Sequence, residues 1–372
     1  MGKKLRHILT LSVFVAALGG FFILNRAVRT PDTLEAERRQ PAAFPRLTAQ
    51  TLLSGDFMRG FEDFAADSFA FRDGFRSIRA FTVLEVFRQS DKSGLYRDAL
   101  VGAGKLAPVA ESEVRRTAGK LATLAAALGE MNVYVSVIPD KSAYAGREYP
   151  GFDIEMSRRI LEEALPDARY IDITAALDAG SYYKTDLHWD QSTLEAAVTA
   201  LGDEMGFLDS ASDGASMFER HTAGEFYGVY KGQLALPMPP DTMIYLTSAI
   251  TENAVTRYLD DKTLEWTAGE IYDLEAFAGR DPYDIFLRGA QALITMENPE
   301  AETARELYLF RDSFSSSLAP LLLPHYAKIT LIDLRYVDFR VLPSLIELSP
   351  NADALFLYSS QILGAPDILK IG

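Results

Sequence analysis

Between residues 111 and 139 the chain changes its hydrophobic period once, and that switch constrains the fold more than any other feature. Residues 111–129 are rich in alanine and leucine, contain no proline and predict a helix. The chain then runs into Val133-Tyr134-Val135-Ser136-Val137-Ile138, a largely β-branched stretch stopped by Pro139, which predicts a buried strand. The alternation continues. Residues 170–173, 307–310, 329–334 and 354–358 predict further strands, and helical text follows Ser313. Residues 191–205 predict a helix, with Leu194, Ala197, Val198, Leu201 and Met205 recurring on one face. Strands alternating with helices predict an α/β fold whose mostly parallel sheet is covered on both faces.

A chain of 372 residues can bury a substantial core, and 48% hydrophobic against 24% charged residues describes a folded protein. There is no cysteine, which excludes thiol catalysis, Cys-ligated zinc and disulfides. Lys3, Lys4, Arg6, Arg26 and Arg29 are the only charged residues of the first 29. The remainder therefore sets 32 of the 37 basic residues against all 52 acids, a net of −20. So acidic a body is repelled by phosphate backbones, which argues against nucleic-acid binding.

Residues 8–24 form an apolar run, softened only by Thr10, Ser12 and glycines. As a helix it would span about 25 Å, slightly short of the ~30 Å hydrocarbon core. The basic residues ahead of it favour a cytoplasmic amino terminus and an exported body, on the outer side of the cell membrane. Two readings stand: a retained single-pass anchor, or a signal peptide cleaved near Ala17-Leu18-Gly19. The expected organisation is an anchor (1–29), a linker and helical membrane-proximal segment (30–93), and an α/β domain (94–372) with an irregular insertion near 220–300. Within 51–89, Phe57, Phe61, Phe64, Phe69, Phe71 and Phe75 recur at mostly helical spacing. They predict an amphipathic helical pair packed on the main domain.

Two short segments carry the chemistry, Thr185-Asp186-Leu187-His188-Trp189 and Phe310-Arg311-Asp312-Ser313-Phe314. Together they supply a carboxylate, an imidazole and a hydroxyl, the groups that make serine a nucleophile. Ser313 lies just past a strand and just before helical text, where open α/β sheets present ligand-facing residues. A serine there is commonly only a helix cap, and Ser315, Ser316 and Ser317 compete for that role. A short loop can fold Asp186 onto one imidazole nitrogen of His188 and leave the other free to take a proton. The bland alternative is a surface histidine between Asp186 and Asp190, the latter also placed to cap the following helix. One histidine among scattered acids lacks a defined metal ligand set.

Tyr183-Lys184-Thr185-Asp186-Leu187-His188-Trp189 resembles the signature of the DHHW family of exported bacterial proteins, relatives of the SGNH-like alginate O-acetyltransferases. The resemblance extends to Asp312-Ser313-Phe314, Pro320, His325-Tyr326 and Ile332-Asp333-Leu334-Arg335. It includes Gly224-Glu225-Phe226-Tyr227-Gly228 and, upstream, Phe69-Ala70-Phe71-Arg72-Asp73. It covers most of the chain from about residue 40 onward. It implies a three-layer SGNH-hydrolase-like domain with a central, mostly parallel sheet, which would follow the N-terminal transmembrane helix and helical linker expected from the residues. Carried over, it makes Ser313 the nucleophile, His188 the base and Asp186 the residue that orients it. That chain order is the reverse of ordinary SGNH hydrolases and typical of the alginate-acetylation relatives. Leu187 stands at the variable position of Asp-x-His-Trp. Arg311 stands where related serine motifs have glycine, so a looser turn and a different oxyanion site are expected. Arg335, Tyr358 and Trp189 are candidates for lining the pocket or the oxyanion site.

The implied activity is O-acetyltransfer or acetyl-ester hydrolysis on a cell-surface or exopolysaccharide glycan, through an acetyl-serine intermediate. No cofactor is implied, and the acetyl group would come from an upstream membrane partner or from another acetylated molecule. The alternative is a catalytically silent glycan-binding or assembly protein with the same fold.

Overall fold

The computed structural model describes residues 3–27, 32–34, 37, 39–106, 108–208 and 217–371. Part of the expected linker (30, 31, 35, 36 and 38) lies outside the described residues, as do residues 1, 2, 28 and 29 of the expected anchor. The chain divides into two compact units, Met1–Asp91 with Lys231–Pro237, and Lys92–Tyr230 with Met238–Gly372.

The larger unit contains twelve described strands: β1 (Leu95–Asp98), β2 (Gly102–Lys105), β3 (Asn132–Ile138), β4 (Arg169–Tyr170), β5 (Glu219–Phe226), β6 (Asp241–Thr247), β7 (Val255–Leu259), β8 (Trp266–Gly269), β9 (Leu293–Glu297), β10 (Glu306–Arg311), β11 (Lys328–Ile332) and β12 (Asp353–Ser359). Eight of them make the main sheet in the order β4-β3-β12-β10-β11-β9-β7-β8. The run from β4 to β11 is parallel. The last three strands join antiparallel. β1–β2 and β5–β6 are separate hairpins.

The central strands read as unbroken apolar runs because neither face meets water. Their side chains alternate between two cores. Leu307 and Leu309 of β10 join Leu355 and Leu357 of β12 in one, with helices Glu195–Met205 and Ser315–Leu322. Tyr308 and Phe310 join Ala354, Phe356 and Tyr358 in the other, with helices Glu111–Ala127 and Ile154–Ala164. The expected α/β architecture with a large, mostly parallel sheet is present.

The differences have local causes. Of the stretch 170–173 only Tyr170, which with Arg169 makes β4, is strand, because the Asp172 carboxylate accepts the Thr174 N–H (2.8 Å) and turns the chain. Asp190 accepts the Ser192 N–H and caps a single 3-10 turn, Gln191–Thr193, so the α-helix begins only at Glu195. Residues 220–300 are not an irregular insertion. They hold the β5–β6 hairpin and extend the main sheet through β7, β8 and β9. β7 and β8 expose several of their side chains, so their sequences carry too little apolar text to read as strands.

In the smaller unit the helix Lys3–Ala27 contains Lys4–Asn25, which is long and apolar enough to cross a membrane (mean hydropathy 2.2). The helical text of 51–89 resolves into Ala49–Ser54, Asp56–Asp67, Arg72–Ala80 and a π-helical turn, Phe81–Val86. Buried Asp67 accepts both terminal nitrogens of Arg39 at 2.7 Å and the Ala42 N–H at 2.8 Å. The Arg39 hydrogen bonds, outweighing burial, hold the Asp67 carboxyl down at about 2. Of the aromatics expected to be covered by packing, Phe61, Phe69, Phe71 and Phe75 remain exposed.

Candidate active site

The segment 183–188 is a tight loop closed on itself, with Tyr183 N–H donating to the His188 carbonyl (3.1 Å) and Tyr182 bridging Trp189. Asp241, at the start of β6, fastens it from outside. Its carboxylate accepts the N–H groups of Lys184 and Thr185 (2.7 Å each) and the Thr185 hydroxyl (2.5 Å). From inside, Lys141 donates its Nζ to the carbonyls of Tyr183 (2.6 Å) and Asp186 (2.9 Å). The end of β5 presses directly on the acid. A Cβ on Gly228 would lie 2.3 Å from Cβ of Asp186, so only glycine permits this approach.

That approach delivers the Val229 N–H to Asp186 Oδ2 at 2.9 Å. Oδ1 of the same carboxylate accepts His188 Nδ1–H at 2.7 Å and the His188 backbone N–H at 3.1 Å. Burial alone would raise the Asp186 pKa. The hydrogen bonds and charge of His188, with the two N–H groups, instead hold it well below the usual carboxylate range. The other ring nitrogen, His188 Nε2, accepts the Ser313 hydroxyl at 2.8 Å. The imidazole lies flat on the Tyr283 ring, with centroids 3.7 Å apart and planes 3° from parallel, and it also touches Phe314. Asp186 and His188 are buried, whereas Ser313 is half-buried and reachable.

Ser313 sits in the turn between β10 and the helix Ser315–Leu322, at the carboxyl end of a central parallel strand. Asp312 ties that turn down. Its Oδ1 accepts the Phe314 N–H (3.1 Å), and its Oδ2 accepts the Ser359 N–H at the end of β12 (2.7 Å). The serines that follow do not act as caps. Phe314 is the N-cap, and Ser315, Ser316 and Ser317 are all buried. Ser316 Oγ accepts Arg311 Nη1 (2.8 Å), while Ser317 Oγ accepts Trp189 Nε1 (2.9 Å) and the Tyr283 hydroxyl (2.8 Å). Arg311 is thus wholly buried beneath the turn, where its guanidinium holds Ser316 in place.

The structure brings Asp186, His188 and Ser313 within hydrogen-bond distance of one another in sequence. Trp189 is wholly buried and braces the turn that carries Ser313, donating also to the Phe314 carbonyl (2.9 Å). Arg335 forms a two-point ion pair with Asp333 (2.6 and 2.9 Å). Tyr358 is wholly buried, and its hydroxyl has no hydrogen-bond partner among the described residues. Neither Arg335 nor Tyr358 hydrogen-bonds to the serine, the histidine or Asp186. Among the described residues, no group of three or more His, Asp and Glu side chains is placed to hold a metal ion.

Lys141, Val229, Asp241 and Tyr283 escape a reading of the sequence. Lys141 alone left a signal, for it follows Pro139 just past the carboxyl end of β3, where a parallel sheet presents ligand-facing residues. Burial pushes Lys141 down from 10.5 to about 7, against the opposing pull of Asp186, Asp241 and Asp140. Between those two values the unfolded chain binds a proton that the folded chain does not, so this group makes stability rise with pH across that window. Lys141→Met should flatten the rise. Denaturant midpoints of wild type and variant, compared from about pH 6 to about pH 10, check the sign. An unchanged slope would mean that Lys141 stays protonated throughout.

No protein-family model matches the chain, and no curated protein matches it in sequence. Solved structures do. A DHHW family protein from Eubacterium siraeum superposes with a TM-score of 0.60 at 20% identity, covering 75% of this chain and 94% of the other. PatB1 of Bacillus cereus superposes with a TM-score of 0.61 at 17% identity, over 75% of this chain and 99% of that one. The same protein carrying a sulfonyl adduct gives 0.60 at 19% identity, over 74% and 97% of the two chains. The relation to DHHW and SGNH-like proteins read from the motifs is thus present as a shared fold.

Proposed function

We propose that the protein is a serine-dependent acyl-ester enzyme, an O-acetyltransferase or acetylesterase acting on a cell-surface or exopolysaccharide glycan. The observation that carries this reading is the unbroken relay from buried Asp186 through His188 to half-buried Ser313, with links of 2.7 and 2.8 Å. Asp186 fixes the imidazole with its proton on Nδ1, leaving Nε2 as the base. Nε2 takes the Ser313 proton while Oγ attacks the carbonyl carbon of an acetyl ester. The resulting oxyanion collapses, and the departing alkoxide leaves with the proton from Nε2. The acetyl group remains on Oγ until His188 deprotonates an incoming hydroxyl, which takes it up and restores the serine. A sugar hydroxyl in that second step gives transfer and water gives hydrolysis.

The Ser313 N–H meets no acceptor among the described residues and lies just before the N-cap of a helix, a fitting donor for the oxyanion. Lys3, Lys4 and Arg6 ahead of the apolar helix support a single-pass anchor with the catalytic body outside the cell. The sheet, apolar on both faces and flanked by helices on each, supports the three-layer arrangement.

A sulfonyl fluoride tests the reading, because it modifies a serine only where a neighbouring base has activated it. Peptide mass mapping should find one adduct, on Ser313, and none after His188→Ala. Unmodified Ser313 in folded wild-type protein would move the assignment to a silent glycan-binding protein.

A further inference from the structure

The smaller unit carries a feature that acyl chemistry does not use. Phe21 lies within the apolar span, four residues before its end at Asn25, and so about 6 Å inside it along the helix. Its ring stacks on Phe69 at 5.7 Å and meets Phe75 at 6.3 Å, while Phe69 and Phe75 are 5.6 Å apart. Asn25 closes the same junction, its side-chain carbonyl accepting the Ala70 N–H at 2.7 Å. Whatever depth the span gives Phe21, Phe69 and Phe75 share it to within a ring's width.

From that junction the chain runs into the helix Arg72–Ala80 and the turn Phe81–Val86. Phe71, Phe75, Ile78 and Phe81 recur at intervals of four, three and three, which on a helix makes one stripe. All four are exposed, Phe71 and Ile78 at 66% each. Two of this helix's three arginines turn to acids of the same unit, and the exposed Arg79 pairs with Asp91 at 3.6 Å. Arg72 pairs with Glu37 (2.5 Å) and Asp67 (3.2 Å), and Arg76 pairs with Glu37 (3.0 Å). Phe71 also sits in the left-handed region (φ 58°), a conformation that bulky residues rarely adopt, and its side chain is exposed there.

We propose that this stripe is a second membrane contact, an interfacial element whose apolar face beds into the lipid bilayer beside the span. The occupant is lipid because the cluster is continuous with the span itself. A helix fixed at the boundary by Phe21 and Asn25, apolar outward and ion-paired inward, has the pattern of an in-plane amphipathic helix. The inference rests on Lys4–Asn25 being retained as a membrane span.

The absence of cysteine makes a direct test possible. Single cysteines replace Phe71, Phe81, Val15 within the span, and Ser112 on the larger unit, each in the full chain. Each is labelled with an environment-sensitive thiol dye and reconstituted in phosphatidylcholine bilayers containing acyl-chain nitroxide lipids, with thermal melts to confirm folding. Quenching at Phe71→Cys and Phe81→Cys should exceed that at Ser112→Cys by at least about twofold. Quenching at Val15→Cys with none at the two stripe positions would place the span in lipid and the stripe outside it, overturning the proposal. Stripe positions that resist both the nitroxide and a water-soluble quencher would mean that protein covers them, which overturns it equally. An unquenched Val15→Cys would remove the premise.

Discussion

Ser313→Ala is expected to lower turnover of p-nitrophenyl acetate by at least about 10³-fold while leaving the thermal midpoint nearly unchanged. On the proposed mechanism the activity loss follows from removing the Oγ that would carry the acetyl group. The stability expectation follows from position. Ser313 is half-buried, its hydroxyl bonds only to His188, and the neighbouring turn is held by Asp312, Arg311 and Trp189 instead. Alanine therefore deletes the chemistry and keeps the scaffold. A variant as active as wild type would show that ester cleavage occurs elsewhere or by general base catalysis on water.

Asp186→Asn should cost about 10²–10⁴ in turnover, by a route that the hydrogen bonds make explicit. Both oxygens of Asp186 face N–H donors, Val229 on one side and His188 on the other. An amide offers one oxygen and one NH₂, so it cannot satisfy both. With its oxygen toward Val229, the NH₂ donates to Nδ1, moves the imidazole proton to Nε2 and leaves no base for Ser313. With its oxygen toward His188, two N–H donors collide at Val229. Stability should change too. The Asp186 pKa is depressed in the fold, so its contribution is present above the ordinary carboxylate range and lost as pH falls through the folded value. At neutral pH the variant should melt below wild type, and the gap should close as both are acidified. Turnover and melting measured on the same preparations separate the two effects.

Much of this arrangement is legible before any coordinates, for reasons that differ from element to element. β3, β10 and β12 announce themselves because burial on both faces leaves few polar positions along them. Asp186, His188 and Ser313 stand out because each pairs a reactive side chain with a nearby strand end or helix start. Arg311 reads as a loosened turn. Folded, it is buried and hydrogen-bonded to Ser316, because the guanidinium finds acceptors in the backbone around it. β7 and β8 stay hidden because the edge strand and its neighbour carry half-exposed sequences. Tyr283 stays hidden because stacking depends on where the chain returns, and nothing local to Pro282 or Asp284 encodes that. Val229 acts through its backbone alone, so its side chain could not have advertised it.

The position of β12 has a consequence for how the molecule is made. It lies between β3 and β10, yet its residue Asp353 follows its partner Asn132 by 221 positions. While the chain is emerging, β3 with β4 and β10 with its neighbours are two partial sheets, each with a bare edge at the place the last strand will fill. Bare edges invite pairing with other chains, and contacts so distant in sequence form slowly. A nascent chain therefore passes through a vulnerable interval in which a holding chaperone would matter most. The Ser359 N–H that anchors Asp312 arrives with β12, so the turn that carries Ser313 is completed only when that strand docks.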